Sequence, residues 1–438
     1  MTPRPRPPSL WRHRDFLLLW GGQSVSELGS AVSVVAFPLV AVVLLHASTL
    51  QVGLLSAAET VPFLLIALPT GLLVDRIAKR RLMISCDIGR MLIMGSVPVA
   101  AWLGALTLGQ LFAVALLTGI ATVFFDVAYQ SYVPSLIGRA ELADGNGKLG
   151  ATQSFAQVAG PGLGGALFGL LKAGAVTADA VSYAVSSAAI LAIRAREPRR
   201  ARRPAVQQAR SLRTELLAGL AFIFRQPILR KIAACTATAN LFGSMVSALG
   251  VLFMIRVLHV RPQFTGLLLA AGSLGGVVGG IASGALTRLI GSARIIWVSM
   301  LGFGVVGLLV PLAQPGWRLV LVPIGLFGST ANVVLYNIAQ LSYRQLICPP
   351  ELLGRLNAAI RWIVWGTLPL GGVIGGALGS TFGIRGTLWI GMTGTWLAGL
   401  WVLASPLRTM RDIPAGSDPV RVPDQRPPAV GPPVSSPS

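Results

Sequence analysis

Apolar stretches long enough to cross a lipid bilayer recur along almost the whole chain. A bilayer core about 30 Å thick requires about 20 apolar residues in a helix. Twelve runs meet this requirement, and most are separated only by short polar segments. Since 53% of the 438 residues are hydrophobic and only 12% are charged, a soluble core could not bury them. The sequence therefore predicts an all-α membrane protein with twelve transmembrane helices.

The predicted helices form two groups of six. Their spans are 16–45, 51–74, 82–104, 109–130, 146–171, 175–193, 228–255, 264–287, 295–313, 318–341, 357–382 and 386–405. The first run is too long for the core of a signal peptide, so we interpret it as a helix. The predicted organisation is a cytoplasmic N-terminus (1–15), a six-helix half (16–193), a basic cytoplasmic linker (194–227), a second half (228–405) and a disordered cytoplasmic tail (406–438).

The positive charges are concentrated in alternate connections between the predicted helices. The formal net charge is +21, and most of the 36 lysines and arginines lie in the terminal segments, the linker and every second loop. An excess of basic residues in cytoplasmic loops is typical of membrane proteins. The pattern predicts a multi-pass protein of the inner (plasma) membrane with both termini in the cytoplasm. It explains the charge without a nucleic acid partner.

The two halves repeat one another in sequence. Residues 52–58, VGLLSAA, correspond to residues 265–271, TGLLLAA. Asn146 corresponds to Asn357, and GPGLGGAL at 160–167 corresponds to GGVIGGAL at 371–378. Several matches in the same order indicate an internal duplication. Two six-helix repeats related by an axis along the membrane normal are typical of transporters whose substrate site lies between the halves.

Sequence motifs of several other protein classes are missing. The three cysteines are far apart and show no CxxC spacing, and the three histidines lie near the ends of predicted helices. No GxxxxGK[ST] phosphate loop occurs, so an ATP-driven pump is not indicated. We therefore expect no cofactor, no metal site and no enzymatic activity. Nothing in the sequence requires an oligomer, so we expect a monomer.

Polar residues inside the predicted helices are candidates for binding a proton or the substrate. Glu27 lies in a polar patch of the first helix, and Glu59 lies in the second. An acid within a bilayer costs about 2.5–3.5 kcal/mol, so each should face a cavity or a partner. Gln153 and Gln157 of the fifth helix are further candidates to line the cavity. A hydrogen bond from a neighbouring helix would equally account for Glu27.

The connection between the second and third predicted helices carries the most specific motif. Residues 71–81 read GLLVDRIAKRR. Glycine at position 71 would let two helices approach closely, and Asp75, at a helix end, can meet the positive N-terminus of a facing helix. Asp126, near the same end of the fourth helix, is placed to pair with Lys79 or Arg76. The simpler interpretation is that these charges only set the topology.

This segment resembles motif A of the major facilitator superfamily, and it departs from that motif at Ala78, where glycine is usual. Asp87 and Arg90 of the third helix, three residues apart on one face, are expected to neutralise each other and to support the motif. The resemblance implies a latch that holds the two halves together in the outward-open state. Its predicted members are Gly71, Asp75, Arg76, Lys79, Arg80, Asp126 and Arg361.

The fifth predicted helix is rich in glycine. Glycine and proline in a membrane helix permit bends and close packing. The pattern resembles motif C of the superfamily, which is associated with exporters that work as antiporters, although simple helix packing explains the same residues. The residues that carry the resemblance are Gly147, Gly160, Pro161, Gly164 and Gly165.

With the stretches 126–146 and 215–230, the chain resembles the branch of the superfamily that includes macrolide-type drug exporters and the enterobactin exporter. The resemblance implies proton-coupled efflux of a drug-like or siderophore-like small molecule by alternating access. A proton-coupled importer or uniporter of a small metabolite is the alternative. A receptor or scaffold with a transporter fold is an alternative of another class. The expected partners are the small-molecule substrate, protons and membrane lipid.

Overall fold

The computed structural model describes residues 10–74, 77–138, 141–195, 220–348 and 350–412. Nearly all of these residues are helical, and none of them lies in a β-strand. Ten stretches are long and apolar enough to cross a membrane, and one of them, Asp144–Ala192, covers two consecutive helices. A further helix near the end of the chain is broken after 15 residues. The all-α membrane fold is confirmed, and the described segments agree with twelve helices.

The first half contains α1 to α6. Their bounds are Arg14–Leu39, Thr49–Val74, Lys79–Trp102, Leu108–Leu136, Leu142–Leu171 and Thr177–Ala192. The second half contains α7 to α12. Their bounds are Pro227–Arg256, Pro262–Ile290, Arg294–Leu312, Leu321–Ile347, Pro350–Thr381 and Gly383–Leu397, and a short helix, Gly399–Leu403, continues α12.

Two helices depart from regular α geometry. α1 continues as a π turn, Val40–Leu44, directly after Pro38, whose missing N–H removes one backbone hydrogen bond. α9 passes through a π turn, Ser299–Phe303, and then through a 3₁₀ turn, Gly304–Leu308. Short π and 3₁₀ pieces are typical of functional or strained places in a helix. Hydropathy alone did not predict these breaks.

Several helices are longer than the predicted spans. α3 begins at Lys79 instead of 82, α4 ends at Leu136 instead of 130, and α11 begins at Pro350 instead of 357. The hydropathy of a segment reports the thickness of the bilayer core, whereas a helix can continue into the polar region beyond it. Residues 196–219 of the predicted linker (194–227) and residues 413–438 of the predicted tail (406–438) lie outside the described residues, as does the N-terminus up to residue 9.

The two ends of the bundle are packed differently. We call the end at which α1, α3, α5, α7, α9 and α11 begin the basic end, and the opposite end the far end. At the far end one apolar core contains residues of both halves, such as Val35 and Leu252. At the basic end each half has its own core, one around Phe16 and Tyr132 and the other around Tyr336. In the described residues, the apolar cores of the halves are therefore joined only at the far end.

Candidate functional site

A cavity of about 400 Å³ lies in the middle of the bundle, between helices of the first half and α7. Its size is within the usual range of small-molecule sites, about 300–1,000 Å³. Apolar side chains, aromatic rings and several serine and threonine hydroxyls line it. The charged and aromatic lining residues are Phe37, Glu59, Phe63, Arg90, Asp179 and Tyr183, while Ser247 and Ala248 come from α7.

Arg90 is held rigidly in the wall of this cavity. It forms an ion pair with Asp87, which is completely buried, and Arg90 itself is 4% exposed. Its guanidinium lies between the rings of Phe125 and Tyr183, 4.3 Å from each ring centroid. Such stacking on aromatic faces stabilises a desolvated guanidinium. The neutralisation of Asp87 by Arg90, predicted from their spacing, is confirmed.

Asp179 is an acid in this cavity that the sequence analysis did not single out. It lies in the first turn of α6 and is 2% exposed. Its carboxylate accepts hydrogen bonds from the hydroxyls of Ser30, at 3.2 Å, and Ser182, at 3.4 Å. Ser30 also lies 3.0 Å from the hydroxyl of Tyr183. The available signal was an acid within an apolar span, which usually marks a functional position.

Glu59 lines the same cavity as Asp179. Close packing of α2 on α4 fixes the position of Glu59. A Cβ on Gly119 of α4 would collide with the Glu59 carbonyl oxygen, so only glycine permits this approach. The structure therefore brings together one predicted candidate and one acid that was not predicted.

At the far end, glycines bring the two halves into backbone contact. A Cβ on Gly53 of α2 would lie 2.6 Å from the Cα of Gly376 in α11. A Cβ on Gly165 of α5 would lie 2.8 Å from the backbone nitrogen of Gly266 in α8. Arg256 of α7 adds a hydrogen bond of 2.7 Å to the carbonyl of Ala47. We call these contacts the far-end closure.

The glycine-rich run of α5 has two roles in the structure. Gly160 and Gly164 face α1 within the same half, and a Cβ on Gly164 would lie 2.5 Å from the carbonyl oxygen of Val32. Pro161 and Gly165 face α8 of the other half at the far-end closure. Gly147 does not take part, because nothing lies within 4 Å of a Cβ built on it.

The latch predicted from motif A is only partly described. Asp75 and Arg76 lie outside the described residues. A close helix approach at Gly71 was expected, but nothing lies within 4 Å of a Cβ built there. Arg80 donates hydrogen bonds to the carbonyls of Ile190, at 3.0 Å, and Leu191, at 2.7 Å. Arg80 therefore caps the C-terminal end of α6, where a cation is favoured by the helix dipole.

The sequence placed Asp126 to pair with Lys79 or Arg76, and Arg76 lies outside the described residues. Among the described residues, Lys79 donates to the carbonyl of Ser131 at 3.5 Å, and no ion pair joins it to Asp126. Asp126 instead lines a small pocket at the junction of α2, α4 and α11, together with Arg361. Arg361 donates a hydrogen bond of 2.8 Å to Gln130 of α4. This is a polar contact between the two halves.

Glu27 and Gln153 do not line the central cavity. They share a separate pocket between α1, α4 and α5. Glu27 accepts a hydrogen bond of 3.1 Å from Gln23, one helical turn before it. Gln157 is exposed on α5 and lines none of the cavities described here. The sequence identified these residues as polar but not the pocket each would face.

The sequence profile of the transmembrane secretion effector family matches residues 7–425, which is almost the whole chain. The chain belongs to this family of the major facilitator superfamily. The resemblance based on motifs A and C is thereby confirmed. Members of the family are transporters, and the multi-span fold with its apolar helices places this one in a membrane.

Several relatives are efflux proteins. The chain is 27% identical to the multidrug efflux pump Tap of Mycolicibacterium fortuitum, with 85% of this chain and 90% of Tap covered. It is 27% identical to the enterobactin exporter EntS of Citrobacter koseri, with 79% and 80% covered. It is 23% identical to macrolide efflux protein A of Streptococcus pyogenes, with 91% and 97% covered.

Solved structures show the same fold. The crystal structure of the nucleoside transporter NupG superposes with a TM-score of 0.70 at 12% identity, covering 89% of this chain and 98% of that one. A bacterial homologue of the lysosomal transporter Spinster, in an inward-facing and occupied conformation, gives a TM-score of 0.70 at 15% identity, with 91% and 97% covered. At these identities the likeness concerns the fold alone.

Proposed function

We propose that this member of the family is a proton-coupled exporter of small molecules. The observation that supports this most strongly is the central cavity. Glu59 and Asp179 both line the cavity. Arg90 also lines it, but its guanidinium is already paired with Asp87. Two further carboxyl groups in an apolar cavity favour the binding of a cation, either a proton or a cationic group of the substrate.

We further propose that the basic end faces the cytoplasm, because basic residues accumulate on that side of membrane proteins. The far-end closure then seals the cavity from the outside. In alternating access the glycine contacts of this closure part, and the basic end closes in exchange. The hydrogen bond between Arg361 and Gln130 already joins the two halves in this conformation.

The lining of the cavity supports a drug-like or siderophore-like substrate. Aromatic rings of Phe37, Phe63 and Tyr183 offer apolar contact, and the hydroxyls of Ser30 and Thr60 offer hydrogen bonds. The efflux relatives described above support the same substrate class. The central cavity and the far-end closure are formed by one chain, so a monomer is sufficient for the proposed cycle.

Accumulation of a panel of cationic dyes, neutral dyes and macrolides in cells that express the protein tests this proposal. We expect wild type to lower the accumulation of at least one compound, and we expect a protonophore to abolish that effect. Asp179→Asn and Glu59→Gln each remove one carboxylate from the cavity. Each is expected to return accumulation to the level of cells without the protein, at unchanged membrane abundance.

Asp144→Asn is the matched control, because Asp144 is an exposed acid of α5 whose ion pair with Lys148 lies outside the cavity. An exposed pair of this kind contributes about 0–1 kcal/mol, so export should persist. Export that continues after the proton gradient is collapsed would contradict proton coupling. Increased accumulation in cells with wild type would favour the importer instead.

A further inference from the structure

Two polar pockets outside the central cavity lie in the two different halves. The first, of about 270 Å³, is the Glu27 pocket between α1, α4 and α5. The second, of about 300 Å³, lies between α7, α10 and α11 and is called here the Arg344 pocket. The helices that form the second pocket are the repeat counterparts of those that form the first.

Seven of the nine residues that line each pocket correspond in the repeat, whereas Arg344 has no counterpart in the Glu27 pocket. The offset that relates Asn146 to Asn357 also relates other residues of the Glu27 pocket to residues of the Arg344 pocket. These pairs are Tyr129 and Gln340, Leu149 and Ile360, Gly150 and Arg361, and Gln153 and Val364. The offset that relates Val52 to Thr265 likewise pairs Gln23 with Thr236 and Glu27 with Asn240. The pockets are therefore the same site in two copies of a duplicated half.

Helix packing supports the shift in residue number that relates Val52 to Thr265. Gly29 of α1 packs closely on Ser182 of α6. The same shift makes Phe242 of α7 the repeat counterpart of Gly29. Phe242 packs closely on Gly394 of α12. α1 and α7 therefore hold equivalent positions and rotations within their halves.

The charges of the two copies are opposite. Among the described lining residues, Glu27 is the charged group of the first pocket, whereas Arg344 and Arg361 are those of the second. Arg344 is only 7% exposed, and its Nε has no hydrogen-bond partner among the described residues. The side-chain oxygen of Gln340, which is 5% exposed, also has none.

A buried guanidinium without an anion is costly, because its desolvation is not compensated. No ion pair among the described residues involves Arg344. Arg361 is engaged with the amide of Gln130 and with the ring of Trp365, not with an acid within ion-pair distance. The group that would compensate this pocket is therefore an anionic group of a ligand, such as a carboxylate or a phosphate.

Residues of α4 link the two pockets across the boundary between the halves. Asp126 of α4 lines a small pocket together with Arg361. Gln130, which accepts the hydrogen bond from Arg361, directly follows Tyr129 of the Glu27 pocket. Arg361 of the Arg344 pocket is therefore in direct contact with the helix that also lines the Glu27 pocket.

We propose that these pockets are paired subsites for an amphoteric substrate, whose cationic group binds at Glu27 and whose anionic group binds at Arg344 and Arg361. This rests on the proposed export function, to which it adds substrate contacts outside the central cavity and a substrate class. After the duplication, one copy of the pocket acquired an acidic residue and the other acquired basic residues. Each half would therefore bind a different charged group of the same ligand. Each half can then follow its own part of the substrate when the halves move.

Binding of rhodamine B and of its ethyl ester to the purified protein in phosphatidylcholine nanodiscs tests this inference. The two dyes share one cationic ring system, but the ester lacks the carboxylate. We expect wild type to bind rhodamine B about tenfold more tightly than the ester, the effect of one additional charged contact. Arg344→Gln is expected to remove this preference by weakening rhodamine B alone. Glu27→Gln is expected to weaken both dyes equally.

Arg344→Lys keeps the charge and should retain part of the preference, which separates a binding effect from misfolding. Arg288→Gln removes an exposed cation of α8 outside the pocket and should leave the preference unchanged. Equal affinity for the two dyes, or a preference that survives Arg344→Gln, would overturn the inference. In a second arm, the same binding is measured in nanodiscs made of equal parts of phosphatidylcholine and phosphatidylglycerol. Loss of the preference only with this anionic lipid would assign the Arg344 pocket to a lipid headgroup and also overturn it.

Because the binding assay uses no ion gradient, it reports on the subsites independently of transport. A failure of proton-coupled export would leave a measured preference for rhodamine B intact. A failure of the preference would leave gradient-dependent export intact.

Discussion

Gly266→Ala is expected to reduce export to the background level, although it adds only one methyl group. A Cβ at this position would lie less than 3.0 Å from the backbone of Pro161 and Gly165 in α5. Backbone atoms of two packed membrane helices cannot move aside as the end of a flexible side chain can. Overpacking of this kind costs about 1–3 kcal/mol. The cost applies only to the conformation in which the far end is closed, so the equilibrium should shift toward the open far end by about tenfold or more.

Spin labels at opposite sides of the far end measure this shift. Trp102 of α3 and Trp317 near α10 are exposed there, at 85% and 79%, and can be replaced by labelled cysteines. The three native cysteines are buried and should label poorly. We expect pulsed electron resonance to show a longer distance between the labels in Gly266→Ala than in the parent protein. Gly165→Ala should give the same result, because Gly165 is the partner glycine.

Gly280→Ala is the matched control on the same helix. A Cβ at Gly280 would lie 3.7 Å from Val334, an ordinary van der Waals distance. Its export and its label distances should equal those of the parent protein. If Gly266→Ala exports normally with an unchanged distance distribution, the far-end closure is not part of the transport cycle.

Arg90→Leu is expected to cause the largest loss of folded protein. It would leave the completely buried carboxylate of Asp87 without its ion-pair partner. Breaking a buried pair in this way costs about 3–5 kcal/mol, because the remaining charge is uncompensated. The lost stacking on Phe125 and Tyr183 adds to this cost. We expect a markedly lower melting temperature in detergent, measured by tryptophan fluorescence, and less monodisperse protein after solubilisation.

The double variant Asp87→Leu with Arg90→Leu should recover much of this stability, because replacing a buried pair by apolar side chains is often neutral. Arg81→Leu removes an exposed cation from the same helix and should change the free energy of unfolding by about 0.5 kcal/mol or less. A double variant as unstable as Arg90→Leu alone would show that the charge pair is not the source of the loss.

The all-helical membrane fold could be predicted from the sequence because it depends on composition and on the length of the apolar runs, and the described segments agree with twelve helices. The glycine run of α5 likewise predicted close packing, and Gly160, Gly164 and Gly165 do lie against other helices. Gly71 and Gly147 show the limit of that inference, since neither has a close neighbour. A glycine permits a close approach, but the position of the facing helix decides whether one occurs.

The groups that line each cavity could not be predicted in the same way. In a soluble protein, alternating polar and apolar residues show which face of a helix is buried. In a membrane both the lipid and the protein core are apolar, so this periodicity is lost. Glu27 and Glu59 were therefore expected to share one role, but they face different pockets. Asp179 was missed because its place at the start of α6 is equally typical of a residue at the membrane surface.

In the proposed mechanism, a proton gradient drives export through the cavity that contains Glu59 and Asp179. The most direct test is uptake into inverted proteoliposomes of a compound that the cell assay identifies, with an imposed pH gradient and no substrate gradient. We predict uptake when the lumen is acidic, no uptake when the gradient is absent, and loss of uptake in Asp179→Asn but not in Asp144→Asn. Uptake that is the same with and without the pH gradient, or that persists in Asp179→Asn, would contradict proton-driven export through this cavity.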